Sequence, residues 1–216
     1  MTVALQAVAQ SLPGWYGKLP GMGDFAHRRL PSSFLRVWDA WLQQGFHELR
    51  TTQPDWTRHF LDSSIWFFTL GRNVVDSNQW MGVLMPSVDS AGRYFPLTLA
   101  TELNEAALEV SAERASGFLH WWTASANLAV AGLDQDMDAN QFEAMLGREF
   151  LQHAQPSIST PSTVNVCASG ESAWIKQPPK SHLSDLLLVG LPTGSTFNAL
   201  FDCAAICDRD TDEASA

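Results

Sequence analysis

The residues of this chain best suited to chemistry lie in two stretches punctuated by Gly and Pro. The first is Gly14–Leu42 (GWYGKLPGMGDFAHRRLPSSFLRVWDAWL) and the second Trp80–Thr101 (WMGVLMPSVDSAGRYFPLTLAT). Together they offer Lys18, Asp24, Ser87, Asp89 and Arg93, a set able to form ion pairs, hold an anion or activate a hydroxyl. Each specialised chemistry has a signature, and each signature is incomplete. Gly17-Lys18 is followed by Leu19-Pro20, where a phosphate-binding loop needs Ser or Thr. Gly21-x-Gly23 lacks the third glycine of a dinucleotide fingerprint, and Pro31 delays the following helix. Ser87 sits in Met85-Pro86-Ser87-Val88-Asp89, which is not the Gly-x-Ser-x-Gly elbow, and Ser169-Gly170 lacks the leading glycine. None of the six histidines stands in a recognisable motif beside a nucleophile. Asp134, Asp136 and Asp138 alternate as in a calcium loop but lack its central glycine and closing glutamate. Glu143 and Glu149 read as solvent-facing helix charges. No catalytic, cofactor or metal residue is assigned. The plainest expectation is that Ser87 and Asp89 cap a turn, with Arg93 pairing to a carboxylate or to backbone carbonyls. Asp24 either caps the turn after Gly23 or meets Arg93 across the two loops.

These side chains need a frame, and apolar spacing supplies one. Gly14–Leu19 reads as a first strand and Pro20–Asp24 as a turn. Pro31, Ser32 and Ser33 are suited to open a helix. Phe34, Trp38, Trp41, Leu42 and Leu49 then keep helical spacing opposite Arg36, Asp39, Gln43 and Glu48, with Gly45 weakening the helix without ending it. Pro54 opens a shorter helix toward Leu61. The run Ile65–Leu70 predicts a buried central strand. Trp80–Met85 and Tyr94–Thr101 are strands joined by Pro86–Arg93, too short a link for anything but an antiparallel pair. Glu105–Ala131 reads as a long amphipathic helix in which Trp121 and Trp122 diverge by ~100°. Asp138 and Gln141 resemble a capping box that opens a helix to His153. Short strands near Thr163–Cys167, Ala173–Ile175 and Leu186–Val189 and a helix from Thr196 to Cys207 follow. The predicted fold is α/β: a single three-layer sandwich whose mixed sheet contains an antiparallel hairpin, with helices on both faces. Residues 1–13 read as a loose leader, 14–207 as one domain and 208–216 as an acidic, disordered tail.

Composition narrows the function classes. Lys and Arg number 13 against 23 Asp and Glu, giving a net charge of −10. With no basic cluster longer than His27-Arg28-Arg29, neither nucleic acid nor an anionic membrane surface is an expected partner. No run approaches the ~20 apolar residues of a membrane span. The leader has no Lys or Arg and is broken by Gln6 and Gln10, unlike a signal peptide. Three cysteines (Cys167, Cys203 and Cys207) make no disulfide framework. Cytoplasmic residence is the resulting expectation. Nine Trp and twelve Phe supply ample core. One or two of these rings are expected to form an apolar patch for another protein.

Taken jointly, the motifs resemble the TagF (ImpM) family of type VI secretion-associated proteins. In the first stretch they are Gly14, Gly17-Lys18-Leu19-Pro20, Gly23-Asp24-Phe25, Arg29, Leu30-Pro31, Phe34, Trp38-Asp39 and Trp41-Leu42. In the second they are Trp80, Gly82-Val83, Pro86-Ser87, Asp89, Gly92-Arg93 and Phe95-Pro96-Leu97. Gly190-Leu191-Pro192 and Phe197 extend the likeness toward Phe201. The resemblance implies a three-layer α/β sandwich and a cytoplasmic accessory protein that represses secretion assembly after translation. It implies action through protein partners, notably a forkhead-associated (FHA) domain scaffold. Some relatives carry a fused serine/threonine phosphatase domain, for which the residues after Phe201 are too few, so no enzymatic activity is expected.

The leading expectation is therefore a non-enzymatic regulator that docks a partner near Gly17–Asp24 and Ser87–Arg93. The candidate partner-binding or motif residues are Lys18, Gly23, Asp24, Arg29, Trp38, Asp39, Ser87, Asp89, Gly92 and Arg93. The alternatives are a small-molecule sensor or enzyme with a polar pocket near Lys18, Asp24, Ser87 and Arg93, and a purely structural role in fixing turns.

Overall fold

The computed structural model describes residues 12–58, 60–103, 112–152, 167–177 and 185–201. Its strands are β1 (Gly14–Gly17), β2 (Ala26–Arg28), β3 (Trp66–Leu70), β4 (Gln79–Met85), β5 (Leu97–Leu103), β6 (Glu171–Lys176) and β7 (Leu186–Val189). Its helices are α1 (Ser32–Thr52), α2 (Ala112–Asp134), α3 (Ala139–Gln152) and α4 (Ser195–Leu200). All seven strands form one sheet in the order β2-β1-β5-β4-β3-β6-β7. Residues 1–11 of the leader, the acidic tail, Cys203, Cys207, Glu105–Ser111, Thr163–Val166 and the far end of the last expected helix lie outside the described residues.

The α/β class and the central hairpin agree with the sequence, and Val83 pairs with Leu99 within it. The expectation of a mixed sheet needs correction. Every strand pair among the described residues is antiparallel. Alternating helices and strands imply parallel neighbours only when a single helix carries the chain to an adjacent strand. Here α1 links β2 to β3, but three strands separate those two. Two helices in succession, α2 and α3, return the chain to the end of the sheet it left, so β6 runs against β3.

Side chains alternate across the sheet, and two apolar clusters follow from that period of two. On one face Trp15, Phe67, Met81, Val83, Leu97 and Leu99 pack with α2 and α3. On the other, Tyr16, Phe68, Leu70, Trp80, Leu84, Ala100 and Trp174 pack with α1 and α4. Helix α1 meets the sheet along the stripe its sequence predicts, with Phe34, Trp38, Trp41, Leu42, Phe46 and Leu49 all buried. Gly45 has a packing reason: a Cβ there would stand 2.3 Å from the Phe197 ring, so its absence lets α4 seat against α1. Trp121 and Trp122 diverge as expected. The Trp122 ring stacks on Phe67 of the sheet, while Trp121 meets Phe150 of α3. Both are buried, so neither supplies the exposed apolar patch.

Local chemistry explains the ends. Asp138 and Gln141 form the reciprocal capping box: Gln141 Oε1 accepts from the Asp138 N–H at 2.9 Å, and Asp138 Oδ1 from the Gln141 N–H at 2.9 Å. Pro31 caps α1 without a side-chain bond, and Ser33 instead donates to Asp76 at 2.9 Å. The helix expected after Pro54 is only a 3₁₀ turn at Trp56–Arg58, closed by bonds from Trp56 to Gln53 and from Arg58 to Asp55. The strand expected at Tyr94–Thr101 begins at Leu97 rather than Tyr94, because Pro96 has no N–H for the ladder. Tyr94 keeps a lone bridge to Val88.

Candidate functional site

Gly17 ends β1 with φ 141°, and a Cβ there would lie 2.2 Å from the Pro96 carbonyl oxygen. Only glycine lets the chain turn this close to the start of β5. The turn drives Lys18 inward, 4% exposed, where its ammonium donates to Asp89 Oδ2 at 2.6 Å and to the Arg93 carbonyl at 3.4 Å. Asp89 is the hub of the second loop. Its Oδ1 accepts from the backbone N–H groups of Ala91 (3.0 Å) and Arg93 (2.9 Å). Its Oδ2 also accepts from Arg93 Nε at 2.8 Å. Gly92, at φ 74°, closes the turn by donating to the Asp89 carbonyl at 2.9 Å.

Three further bonds join the two loops. Ser87 Oγ donates to the Lys18 carbonyl at 2.8 Å, and the Ser90 N–H to the Met22 carbonyl at 2.9 Å. Arg93 Nη2 donates to the Gly23 carbonyl. Asp89 does cap its turn, as the sequence implies, but Ser87 does not; it reaches across to the neighbouring loop. Gly23 contributes its backbone oxygen, since a Cβ there would meet nothing closer than Ser90 Oγ at 3.7 Å.

The electrostatics match this wiring. Burial alone would raise the Asp89 carboxyl, whose side chain is fully shielded from solvent. The Lys18 ammonium, the Arg93 backbone and guanidinium and the Ala91 N–H outweigh burial and hold it well below the usual carboxylate range. A carboxylate holding four donors has little capacity left to take a proton from a substrate. Ser87 is fully buried with its proton committed to a carbonyl, so it does not present a nucleophile. Among the described residues no group of three or more His, Cys, Asp or Glu is arranged to hold a metal ion.

What faces outward differs. The Asp24 side chain is 96% exposed, and its carboxylate stands 3.9 Å from Arg93, a loose contact beside the tight Arg93–Asp89 pair. Phe25 is 49% exposed although its ring packs edge-on to Phe95 and against Tyr16. Beside these loops lies an open depression of about 490 Å³, lined chiefly by Phe25, Arg50, Trp56, Arg93, Tyr94 and Phe95. Sequence reasoning assigned no role to Arg50, Trp56 or Tyr94. Arg50 is the basic residue of the last turn of α1 and Trp56 sits in the 3₁₀ turn, a juxtaposition that no local spacing announces.

The other candidates lie elsewhere. Arg29, with φ 60°, ties the β2 end to α3: it donates to both oxygens of Glu143 (2.7 and 2.9 Å) and to the Pro13 carbonyl. Glu143 also accepts from the Trp15 indole N–H, so the expectation that it faces solvent is corrected. Burial would raise its carboxyl, but Arg29 and Trp15 lower it. Trp38 is fully buried and donates to Thr98 Oγ1 at 2.9 Å. Asp39 accepts from the Tyr16 hydroxyl and from Gln43. The Tyr16 phenol is raised by burial and then by Asp39. The loops thus gather Lys18, Gly23, Asp24, Ser87, Asp89, Gly92 and Arg93, but not Arg29, Trp38 or Asp39.

A family model described as the TagF N-terminal domain, type VI secretion system-associated, matches residues 14–148. The chain belongs to this family. Both loops, α1 and most of α3 fall inside the TagF match, while β6, β7 and α4 follow it. The TagF chain is also similar to the crystal structure of PA0076 from Pseudomonas aeruginosa PAO1, with 25% identity and a TM-score of 0.65. That likeness covers 88% of this chain and 93% of the other, a longer span than the TagF match. None of the curated proteins compared with the chain matches it. No helix among the described residues is long and apolar enough to cross a membrane.

Proposed function

We propose that this type VI secretion-associated chain is a non-enzymatic, cytoplasmic repressor of secretion assembly that acts by docking other proteins, an FHA-domain scaffold among them. Residues 14–207 serve as one domain for that purpose. The observation that carries this is the division of labour in the paired loops. The charged groups best able to do chemistry are turned inward and consumed by each other. The outer rim offers Phe25, Asp24 and one face of Arg93 on a backbone fixed from within. A rim of this kind, an exposed ring surrounded by polar groups on a rigid support, is what a protein interface uses.

The test is repression and copurification in secretion-positive cells with Phe25→Ser, using Val189→Ser on β7 as an exposed apolar control. Loss of repression and of the copurifying secretion component with Phe25→Ser alone is expected. Wild-type repression by Phe25→Ser would refute the proposal. A second possibility, a small-molecule sensor, draws on the aromatic and cationic lining of the depression. A ligand that raises the melting temperature and changes secretion would favour it.

A further inference from the structure

The depression beside the loops carries a charge sign opposite to that of the chain. In a protein of net charge −10, it is lined by Lys18, Arg50 and Arg93. Their availability differs. Lys18 is neutralised by the buried Asp89. Arg93 has Nε on Asp89 and Nη2 on the Gly23 carbonyl, which leaves Nη1 without a hydrogen bond among the described residues. Arg50 is exposed, lies over the Trp56 ring at 5.3 Å, and forms no ion pair among the described residues. A guanidinium stacked on an indole is oriented, and its N–H edge stays open to a carboxylate. Besides the buried Asp89, Asp24 stands 3.9 Å from Arg93, while Asp55, the residue before Trp56, stands 3.9 Å from Arg58. Phe25, Trp56, Tyr94 and Phe95 supply an apolar floor between the cations.

We infer that this depression takes an acidic segment of a partner protein, Asp or Glu beside an aromatic or large aliphatic side chain. The apolar residue packs on Phe25 and Trp56 while the carboxylates meet Arg50 and the free edge of Arg93. Charge complementarity selects this occupant. The open form favours an extended chain over an enclosed small ligand, and two separately anchored guanidiniums suit separate carboxylates better than one compact dianion. Asp24 competes for Arg93, so it restrains the affinity. This inference depends on the docking function proposed above and specifies its chemistry.

A random peptide library is selected on the full chain and, in parallel, on Arg50→Gln and Arg50→Glu. The expected result is enrichment of acidic residues next to Trp, Phe, Tyr or Leu on the wild type. That enrichment is lost with Arg50→Glu and weakened with Arg50→Gln, at an unchanged melting temperature. The selected peptide should bind at least tenfold more weakly to Arg50→Gln, and Asp24→Ala should tighten it. The inference is overturned by a basic or absent consensus, by a consensus indifferent to both Arg50 variants, or by saturable ATP binding that requires Arg50. If repression depends on Phe25 but not on Arg50, docking stands and the acidic occupant falls. If peptides bind through Arg50 while Phe25→Ser still represses, the docking function falls instead.

Discussion

Two ion pairs in the same loops behave as opposites. Lys18–Asp89 is short, at 2.6 Å, with side chains 5% and 0% exposed. Asp24–Arg93 is long, at 3.9 Å, with side chains 96% and 56% exposed. The first holds the loops together from inside, where leaving one charge unpaired is costly. The second is screened by water and contributes little to stability. The difference separates scaffold from surface: two Asp–cation pairs in the same loops serve support or recognition according to how deeply each is buried.

Removing one member of the inner pair is the strongest way to break this contrast. Asp89→Ala strands the Lys18 ammonium and is expected to cost about 3–5 kcal/mol by denaturant unfolding. The double change Lys18→Met with Asp89→Leu should recover most of that loss, since no unpaired charge remains. Charge exchange is the next largest effect. Arg93→Asp sets a second carboxylate against Asp89, and adding Asp24→Arg should give no rescue, because Asp89 and not Asp24 is the main partner of Arg93. Rescue would mean that the outer contact is the stronger one.

Acid provides a graded version of the same comparison. The folded Asp89 and Glu143 carboxyls titrate below their ordinary values. Between the folded and unfolded values the unfolded chain binds more protons, so their stabilisation is intact above about pH 4 and declines as the pH falls below it. Asp89→Asn should flatten the loss of stability on acidification, which melting curves at several pH values would show. Arg29→Ala, which frees the partly exposed Glu143, is expected to cost about 1–2 kcal/mol through one charge-assisted bond set. Asp24→Ala comes last, within about 0.5 kcal/mol of wild type by the same unfolding assay.

Much of this frame was legible because it depends on local periodicity. The apolar stripe of α1, the run at β3 and the Asp138–Gln141 box each encode their own geometry in neighbouring residues. Features set by long-range approach were not legible. The all-antiparallel pairing depends on α2 and α3 acting together as a return. Glu143 is engaged by Trp15 and Arg29, more than a hundred positions away. Ser87 looked like a turn residue because nothing nearby shows the Lys18 carbonyl waiting 2.8 Å from its hydroxyl. The paired loops stood out through their Gly and Pro content, yet which charges faced inward was decided by the Gly17 turn. Arg50 and Trp56 carry no local sign of their role; the fold alone sets them beside Phe25.

Amide hydrogen exchange at Ser90 tests the central claim most directly, because its N–H crosses from one loop to the Met22 carbonyl of the other. If the inner pair fuses the loops into one rigid support, this amide exchanges far more slowly than in a free peptide, and Asp89→Ala accelerates it. Exchange at the free-peptide rate in the wild-type chain would contradict the account.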